Sequence, residues 1–217
     1  MRVLVACEFT EIVKEQFLLR GHDAHSCDLL AGEKGLSNHH QCDVREILND
    51  GWDLMIAHPD CTYLTVTGNK WMLPKYRIRF PDREQRREDA IRFFMLLANA
   101  PVAKIALENP VGIISTRWRK PDQYIQPFLF GDKAVKKTGL WLKNLPRLIP
   151  SNIVEPEYHI YNSTTHISGK SKYPLQWSDS SLKNWRDRVA TYPGIAKAMA
   201  EQWGSPDTPP PSESKKP

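Results

Sequence analysis

Two short apolar runs decide the fold: Asp53-Leu-Met-Ile-Ala-His-Pro-Asp-Cys61 and Lys104-Ile-Ala-Leu-Glu108-Asn-Pro110. Each run has the unbroken apolar character that is typical of a strand buried on both faces of a parallel sheet. A reactive side chain follows each run, a cysteine after the first and a glutamate after the second. We therefore predict that Cys61 and Glu108 lie at the tips of two buried strands.

The rest of the first two thirds of the chain alternates between strand and helix patterns. Helical spacing over residues 10–20 ends at Gly21, and a second helical pattern runs from Asp82 to about Ala100. The stretches that read as further strands are residues 2–7, 23–28, 41–43 and 140–142. This alternation predicts an α/β fold with a Rossmann-like, doubly wound and mostly parallel sheet.

Length and composition favour one globular domain. The 217 residues are 41% hydrophobic and include seven Trp, which is enough for one sizeable core. We predict a single domain over residues 1–204, with a loop-rich insert at about 146–184 and a disordered, Pro-rich tail at 205–217. No stretch reads as a membrane span or a secretory signal, so we expect a soluble, cytoplasmic protein whose four cysteines are reduced.

Positive charge is concentrated in two segments. Residues 70–92 hold eight Lys or Arg against four acidic residues, and residues 117–137 hold six against two. These segments together carry a net charge of +8 on a chain of net charge +5, so the remainder is slightly acidic. Such clustering favours a phosphate-bearing partner such as DNA. An ordinary solvated helix face over residues 82–92 explains part of the pattern equally well.

Acidic side chains follow the predicted strands, and they suggest a ligand. Open parallel sheets bind ligands beyond the carboxyl ends of their strands, which gathers Glu8, Asp28, Asp43 and Cys61 in one crevice. Asp28 is placed to accept hydrogen bonds from ribose hydroxyls, and Asp43 to accept one from an adenine amino group. The turn after the first strand has no glycine, which argues against phosphate binding there. This pattern favours a phosphate-free adenosine ligand such as S-adenosylmethionine, although acidic turns after strands also occur without a ligand.

The order of Pro59-Asp-Cys61 and Glu108-Asn-Pro110 resembles the Pro-Cys and Glu-Asn-Val motifs of the cytosine-5 DNA methyltransferases. It is also similar to the short methyltransferase-like proteins common in phage genomes. The resemblance covers residues 2–145 and returns at about 192–200. It implies a methyltransferase-like domain that transfers a methyl group from S-adenosylmethionine to carbon 5 of cytosine in DNA, through a covalent cysteine adduct.

The resemblance also implies a role for each matching residue. Cys61 attacks ring carbon 6 and Glu108 donates a proton or hydrogen bond at ring nitrogen 3, which requires a raised Glu108 pKa; Asn109 fixes the turn. The residues that it places around the cofactor are Glu8, Phe9, Asp28, Leu29, Asp43 and Val44. Substrate contacts are expected from Lys70 and Lys137.

Three departures keep other functions open. Asp60 stands where the family has proline and should raise the thiol pKa, the family's Gln-x-Arg-x-Arg motif is absent, and the insert is small for reading a specific DNA site. The alternatives are a modifier of free cytosine nucleotides, or a catalytically decayed fold that acts as a binding or host-interaction protein. Cysteines and histidines also cluster near the strand tips, but without a Cys-x-x-Cys pair we predict no metal site.

Overall fold

A seven-stranded sheet forms the centre of the computed structural model, which describes residues 1–161, 171–174 and 189–205. Its strands are β1 (Arg2–Ala6), β2 (Asp23–Asp28), β3 (His39–Gln41), β4 (Leu54–Ala57), β5 (Lys104–Pro110), β6 (Gln123–Ile125) and β7 (Thr138–Lys143). The α-helices with described bounds are α1 (Ile12–Leu18), α2 (Arg83–Ala98), α3 (Ile114–Arg117) and α4 (Pro193–Trp203). A separate antiparallel pair joins β8 (Tyr158–Tyr161) to β9 (Ser171–Pro174).

The strand order of the main sheet is β3-β2-β1-β4-β5-β7-β6. The pairings among β1 to β5 are all parallel, whereas β7 runs antiparallel to both β5 and β6. The order 3-2-1-4-5 is that of a doubly wound, Rossmann-type sheet, and it reverses between β1 and β4. The predicted α/β, Rossmann-like and mostly parallel fold is therefore confirmed.

Apolar side chains cover both faces of the sheet. On one face, Phe17 of α1 packs in a cluster with Met199 and Trp203 of α4. On the other face, Phe94 and Leu97 of α2 pack in a second cluster, which also holds Trp52 and Trp141. The central strands β1 and β4 are buried almost throughout, which explains why their sequences are apolar without alternation.

The turn between β1 and α1 takes an unusual shape without any glycine. Cys7 and Glu11 both adopt left-handed backbone conformations, with φ of 59° and 57°. The Glu8 carboxylate accepts hydrogen bonds from the backbone N–H groups of Val13 (2.6 Å) and Lys14 (3.2 Å). The N-terminus of α1, where a Rossmann fold commonly binds phosphate, is therefore capped by the chain's own carboxylate.

A buried ion pair ties the loop after β2 to α1. The Nζ of Lys14 lies 2.5 Å from Oε1 of Glu11, and both side chains are fully buried. The other Glu11 oxygen accepts from the backbone N–H of Lys34 at 2.7 Å, and Lys14 also donates to the Ser37 carbonyl at 2.9 Å. These contacts fix residues 29–38 against the helix.

Two segments predicted from the sequence, the insert and the tail, lie partly outside the described residues. Within the predicted insert at 146–184 the structure contains the β8–β9 pair, while residues 162–170 and 175–184 lie outside the described part. All but the first residue of the predicted tail at 205–217 lies outside it as well. Among the helices that the structure describes, none combines the length and the apolar character that crossing a membrane requires.

We expect Lys14→Met to lower the free energy of unfolding by about 3–5 kcal/mol, because it leaves the Glu11 carboxylate buried without its counter-ion. Glu15→Gln is the matched control, since it breaks a half-exposed pair with Lys34 in the same region and should cost less than about 1 kcal/mol. Urea denaturation of both variants measures the difference. Equal losses would contradict a stabilising role for the buried pair.

Candidate active site

A cavity of about 400 Å³ opens at the carboxyl ends of β1, β2 and β4. It lies beside the point where the strand order reverses, which is where open α/β sheets bind ligands. Its volume falls within the roughly 300–1,000 Å³ range of small-molecule sites. The residues predicted to surround a cofactor all line it: Glu8, Phe9, Asp28, Leu29, Asp43 and Val44.

Two carboxylates on the cavity wall differ in their contacts. Asp28 ends β2 and accepts a hydrogen bond from the Leu30 backbone N–H at 2.9 Å, and partial burial raises the pKa of its carboxyl. Asp43 accepts from the Arg45 guanidinium at 2.5 Å and 2.9 Å, and these bonds lower its pKa. A ligand at Asp43 would therefore compete with Arg45 for the carboxylate, whereas no cation of the described residues forms an ion pair with Asp28.

Mostly apolar side chains from several parts of the chain complete the cavity wall. Phe9 and Val44 are buried in its walls, and Leu29 is largely exposed at its rim. Phe93 contributes from α2, and Val189 and Thr191 contribute from the segment just before α4. The cavity thus combines flat apolar walls with a few carboxylates, a lining that suits a heterocycle attached to a polyhydroxylated sugar.

Cys61 follows β4 closely and is only partly exposed. Burial, together with the negative charges of Asp60 and Glu108, raises the pKa of the Cys61 thiol to about 11, while the charge of Lys136 acts in the opposite direction. The predicted effect of Asp60 on this pKa is confirmed, although burial is the larger cause. The resting cysteine is therefore a thiol at neutral pH.

Glu108 lies near the end of β5 and is paired with His58, which directly follows β4. The Nδ1–H of His58 donates to Oε2 of Glu108 at 3.1 Å. Burial raises the pKa of the Glu108 carboxyl, but the hydrogen bond and charge of His58, with help from Lys136 and Thr138, outweigh that effect and lower the pKa overall. The prediction of a raised Glu108 pKa is therefore wrong, because it did not include the pairing with His58.

The segment that carries Cys61 is fastened to the segment after Glu108. The Asn109 side-chain amide donates to the Pro59 carbonyl at 2.8 Å, and backbone N–H groups of Val66 and Ile113 donate to the carbonyls of Val111 and Leu64. A Cβ at Gly112 would lie 2.0 Å from the Leu64 carbonyl oxygen, so only glycine permits this approach. Asn109 thus fastens the Cys61 segment to the end of β5, while its role in fixing the turn after Glu108 stays a prediction.

The two predicted substrate lysines lie on the surface, and a third lysine lies nearer the site. Lys70 stacks over Trp71 at 4.7 Å, and Lys137 stacks over Tyr124 at 4.4 Å. Lys136, the neighbour of Lys137, lines a small cavity together with Glu108 and its charge acts on Cys61. The lysine beside the reactive pair is therefore Lys136, while substrate contacts by Lys70 and Lys137 stay predictions.

Many cations of the two basic segments pair with acids of the same chain. Each of the following pairs lies at the surface: Arg77–Glu84, Arg86–Asp82, Arg92–Asp89, Arg117–Glu88, Arg119–Asp122 and Lys133–Glu157. Lys70, Lys75 and Arg79 have no acidic partner within the described part of the chain, and each stacks on the aromatic ring that follows it. The positively charged surface is therefore smaller than the number of Lys and Arg residues in the two segments suggests.

His58, Lys136 and Thr138 all act on the pKa of Glu108, and we predicted no catalytic role for any of them. His58 carried a usable signal, because it directly follows a buried strand and precedes Cys61 by three residues. No comparable signal marks Lys136 or Thr138, since only the antiparallel pairing of β7 with β5 brings them to Glu108. Across the described residues, no group of three or more His, Cys, Asp or Glu is placed to hold a metal ion.

Comparison with known proteins finds distant likenesses among solved structures. No family model matches the chain, and no curated protein does. A solved structure described as a DNA modification methyltransferase encoded within an Escherichia coli prophage is 15% identical, with a TM-score of 0.47. The match covers 71% of this chain and 52% of that chain, so this chain spans about half the length of its neighbour. The fold assignment rests instead on the strand order and the parallel register.

We expect Asp60→Asn to lower the pKa of the Cys61 thiol and to speed its alkylation by iodoacetamide at pH 8 by about 3- to 10-fold. The asparagine oxygen can still accept the hydrogen bonds that Asp60 takes from the N–H and hydroxyl of Thr62, so the loop should be preserved. Asp23→Asn, at the opposite end of the sheet, is the matched control. Peptide mass spectrometry measures labelling at Cys61, and an unchanged rate would contradict the electrostatic account.

Proposed function

We propose that this protein transfers a methyl group from S-adenosylmethionine to carbon 5 of cytosine in DNA, with Cys61 as nucleophile and Glu108 as its partner at ring nitrogen 3. The observation that carries the proposal is that Cys61, which follows β4, lies within electrostatic reach of Glu108 on the neighbouring parallel strand β5, while His58 and Asp60 near it line a cavity suited to adenosine. A thiol and a carboxyl are the groups that addition to an electron-poor pyrimidine ring requires.

The cavity fits the cofactor better than it fits a nucleotide phosphate. Asp28, Asp43, Phe9 and Phe93 line the cavity, and in this proposal Asp28 accepts from ribose hydroxyls, Asp43 from an adenine amino group, and the two phenylalanines contact the apolar ring. The helix N-terminus that would bind a phosphate is already filled by Glu8. When bound, S-adenosylmethionine supplies an electrophilic methyl group.

The chain's own residues activate the ring. Cys61 forms a bond to carbon 6, and the thiol proton passes to ring nitrogen 3, next to Glu108. The ionised Glu108 carboxylate favours a protonated ring nitrogen through charge, so it assists addition without holding the proton at rest. Electron density then moves to carbon 5, which takes the methyl group. Loss of the carbon-5 proton and of the cysteine regenerates the aromatic base.

An aromatic and basic cluster in the segment that follows Cys61 along the chain supports DNA as the substrate. Trp71 contacts the rings of Tyr76 and Phe80 at 4.9 Å and 5.6 Å, and Lys70, Lys75 and Arg79 stand over these three rings. Interleaved rings and cations suit nucleic acid, because rings stack on bases and cations contact phosphates. A cytosine within a duplex must be extruded before Cys61 can reach carbon 6.

A second candidate function is a decayed methyltransferase fold that binds its ligand without reacting. The high pKa of the Cys61 thiol favours this alternative, because few molecules hold the thiolate at neutral pH. Retained S-adenosylmethionine binding without methyl transfer would distinguish this alternative from the enzyme.

Nucleoside mass spectrometry of total DNA from cells that express the protein tests the proposal. We expect new 5-methylcytosine, and a loss of at least about 100-fold in Cys61→Ala and in Glu108→Gln, because each removes a group that acts on the ring. Glu201→Gln, an acid-to-amide change on the surface of α4, should leave the level unchanged.

The absence of 5-methylcytosine with wild-type protein would contradict the DNA reaction. Calorimetry would then separate the alternatives: S-adenosylmethionine binding that weakens about 10-fold in Asp28→Asn would favour the decayed binding protein. Methylation of free cytosine nucleotides in place of DNA would favour a nucleotide modifier.

A further inference from the structure

His58 occupies the boundary between the cofactor cavity and the reactive pair. It directly follows β4, it lines the cavity that holds Asp28 and Asp43, and its Nδ1–H donates to Glu108. Its side chain is only 10% exposed, and that of Glu108 is 18% exposed. His58 is therefore held in place by a carboxylate, as the imidazole of a general base commonly is.

The second ring nitrogen of His58 has no assigned use. Its Nε2 is buried and has no hydrogen-bond partner among the residues that the structure describes. Because Nδ1 carries the hydrogen donated to Glu108, Nε2 carries the lone pair in the neutral ring. A buried, unpaired acceptor beside a ligand cavity is costly unless the bound ligand uses it.

The proposed reaction needs a proton acceptor in this position. Cys61 bonds to carbon 6, Glu108 faces ring nitrogen 3, and carbon 5 receives its methyl group from the cofactor cavity. Carbon 5 must therefore lie between that cavity and the Cys61–Glu108 pair, which is where His58 stands. After methyl transfer, carbon 5 carries one proton that must leave.

We propose that Nε2 of His58 is the general base that removes the carbon-5 proton after methyl transfer. In this step the C5–H bond breaks and its proton passes to Nε2, while the electron pair forms a double bond between carbons 4 and 5 and neutralises the positive charge that methyl transfer leaves at ring nitrogen 3. That electron pair then shifts to form the double bond between carbons 5 and 6 as the carbon–sulfur bond to Cys61 breaks, and the sulfur recovers a proton from ring nitrogen 3. This inference rests on the proposed function. It assigns to His58 the removal of the carbon-5 proton, for which neither Cys61 nor Glu108 serves as the base.

Acidic side chains surround the imidazolium that this step creates. Glu108 accepts a hydrogen bond from the ring and is ionised, and Glu8 lies within electrostatic reach of His58, although burial raises the pKa of the Glu8 carboxyl overall. Lys136 lines a small cavity together with Glu108, and its charge also lowers the pKa of the Glu108 carboxyl. The hydrogen bond from Nδ1 to the Glu108 carboxylate therefore holds the ring in place while Nε2 takes the proton.

His58→Asn tests the assignment, because the asparagine amide can still donate to Glu108 but cannot accept and hold a proton. The substrate is genomic DNA labelled with tritium at carbon 5 of cytosine, which requires no knowledge of the target site. The full-length protein is given S-adenosylmethionine carrying a carbon-14 methyl group. Tritium release reports proton removal, and carbon-14 on the DNA reports methyl transfer.

We expect His58→Asn to slow tritium release about 100-fold, while the first methyl transfer slows less than about 3-fold. The carbon-14 should then accumulate in a protein–DNA complex that survives denaturant, joined through Cys61. His25→Asn is the matched control, since His25 lies on β2 and stacks with His40 away from the cavity; it should behave as wild type.

A parallel fall of both signals without a trapped complex would overturn the assignment and leave His58 a structural role. Unchanged tritium release would overturn it as well. If the wild-type protein itself neither transfers methyl nor releases tritium, the proposed function fails, and this inference fails with it.

Discussion

The candidate site depends on the parallel register of three buried strands. β4 pairs with β1 on one side and with β5 on the other, so the residues that follow all three strands emerge at one edge of the sheet. Glu8, His58 and Glu108 therefore meet although they lie about fifty residues apart along the chain. The backbone bonds between the Leu64 and Gly112 segments then hold the segment that carries Cys61 against the segment that follows Glu108. A slip of one residue in any of these strands would turn the side chain at its tip to the other face.

The candidate site also depends on charged side chains of the protein that lie within it or next to it. Glu8 fills the anion position at the start of α1, and Glu11 with Lys14 fixes the loop that forms the cavity rim. His58 counteracts the rise that burial causes in the pKa of Glu108. Asp60, in contrast, adds to the rise that burial causes in the pKa of Cys61. The same edge of the sheet thus holds an ionised carboxyl and a protonated thiol at neutral pH. This combination favours a cysteine that reacts only when a bound ring accepts its proton.

The sequence predicts the strands and the crevice well for a physical reason. Continuous apolar runs have few alternatives to a buried parallel strand, and the carboxyl ends of such strands meet, so the six cavity residues can be placed together without coordinates. The antiparallel β7 and the pairing of His58 with Glu108 are not local properties. They depend on which strands become neighbours. The prediction of a raised Glu108 pKa was wrong because the neighbour that lowers it most, His58, follows a different strand. The burial of Lys14 also cannot be predicted from the sequence, because helical spacing alone does not reveal that a loop will cover this side chain.

The central claim is a covalent bond between Cys61 and carbon 6 of cytosine, and one measurement tests it most directly. DNA amplified with 5-fluoro-2′-deoxycytidine triphosphate is incubated with the protein and S-adenosylmethionine, denatured, and analysed by mass spectrometry after digestion. Fluorine cannot leave carbon 5 as a cation, so the account predicts a stable complex in which Cys61 carries the methylated, fluorinated base, and none with Cys61→Ser. The absence of any such complex with wild-type protein, or a bond at another cysteine such as Cys7 or Cys42, would contradict the account.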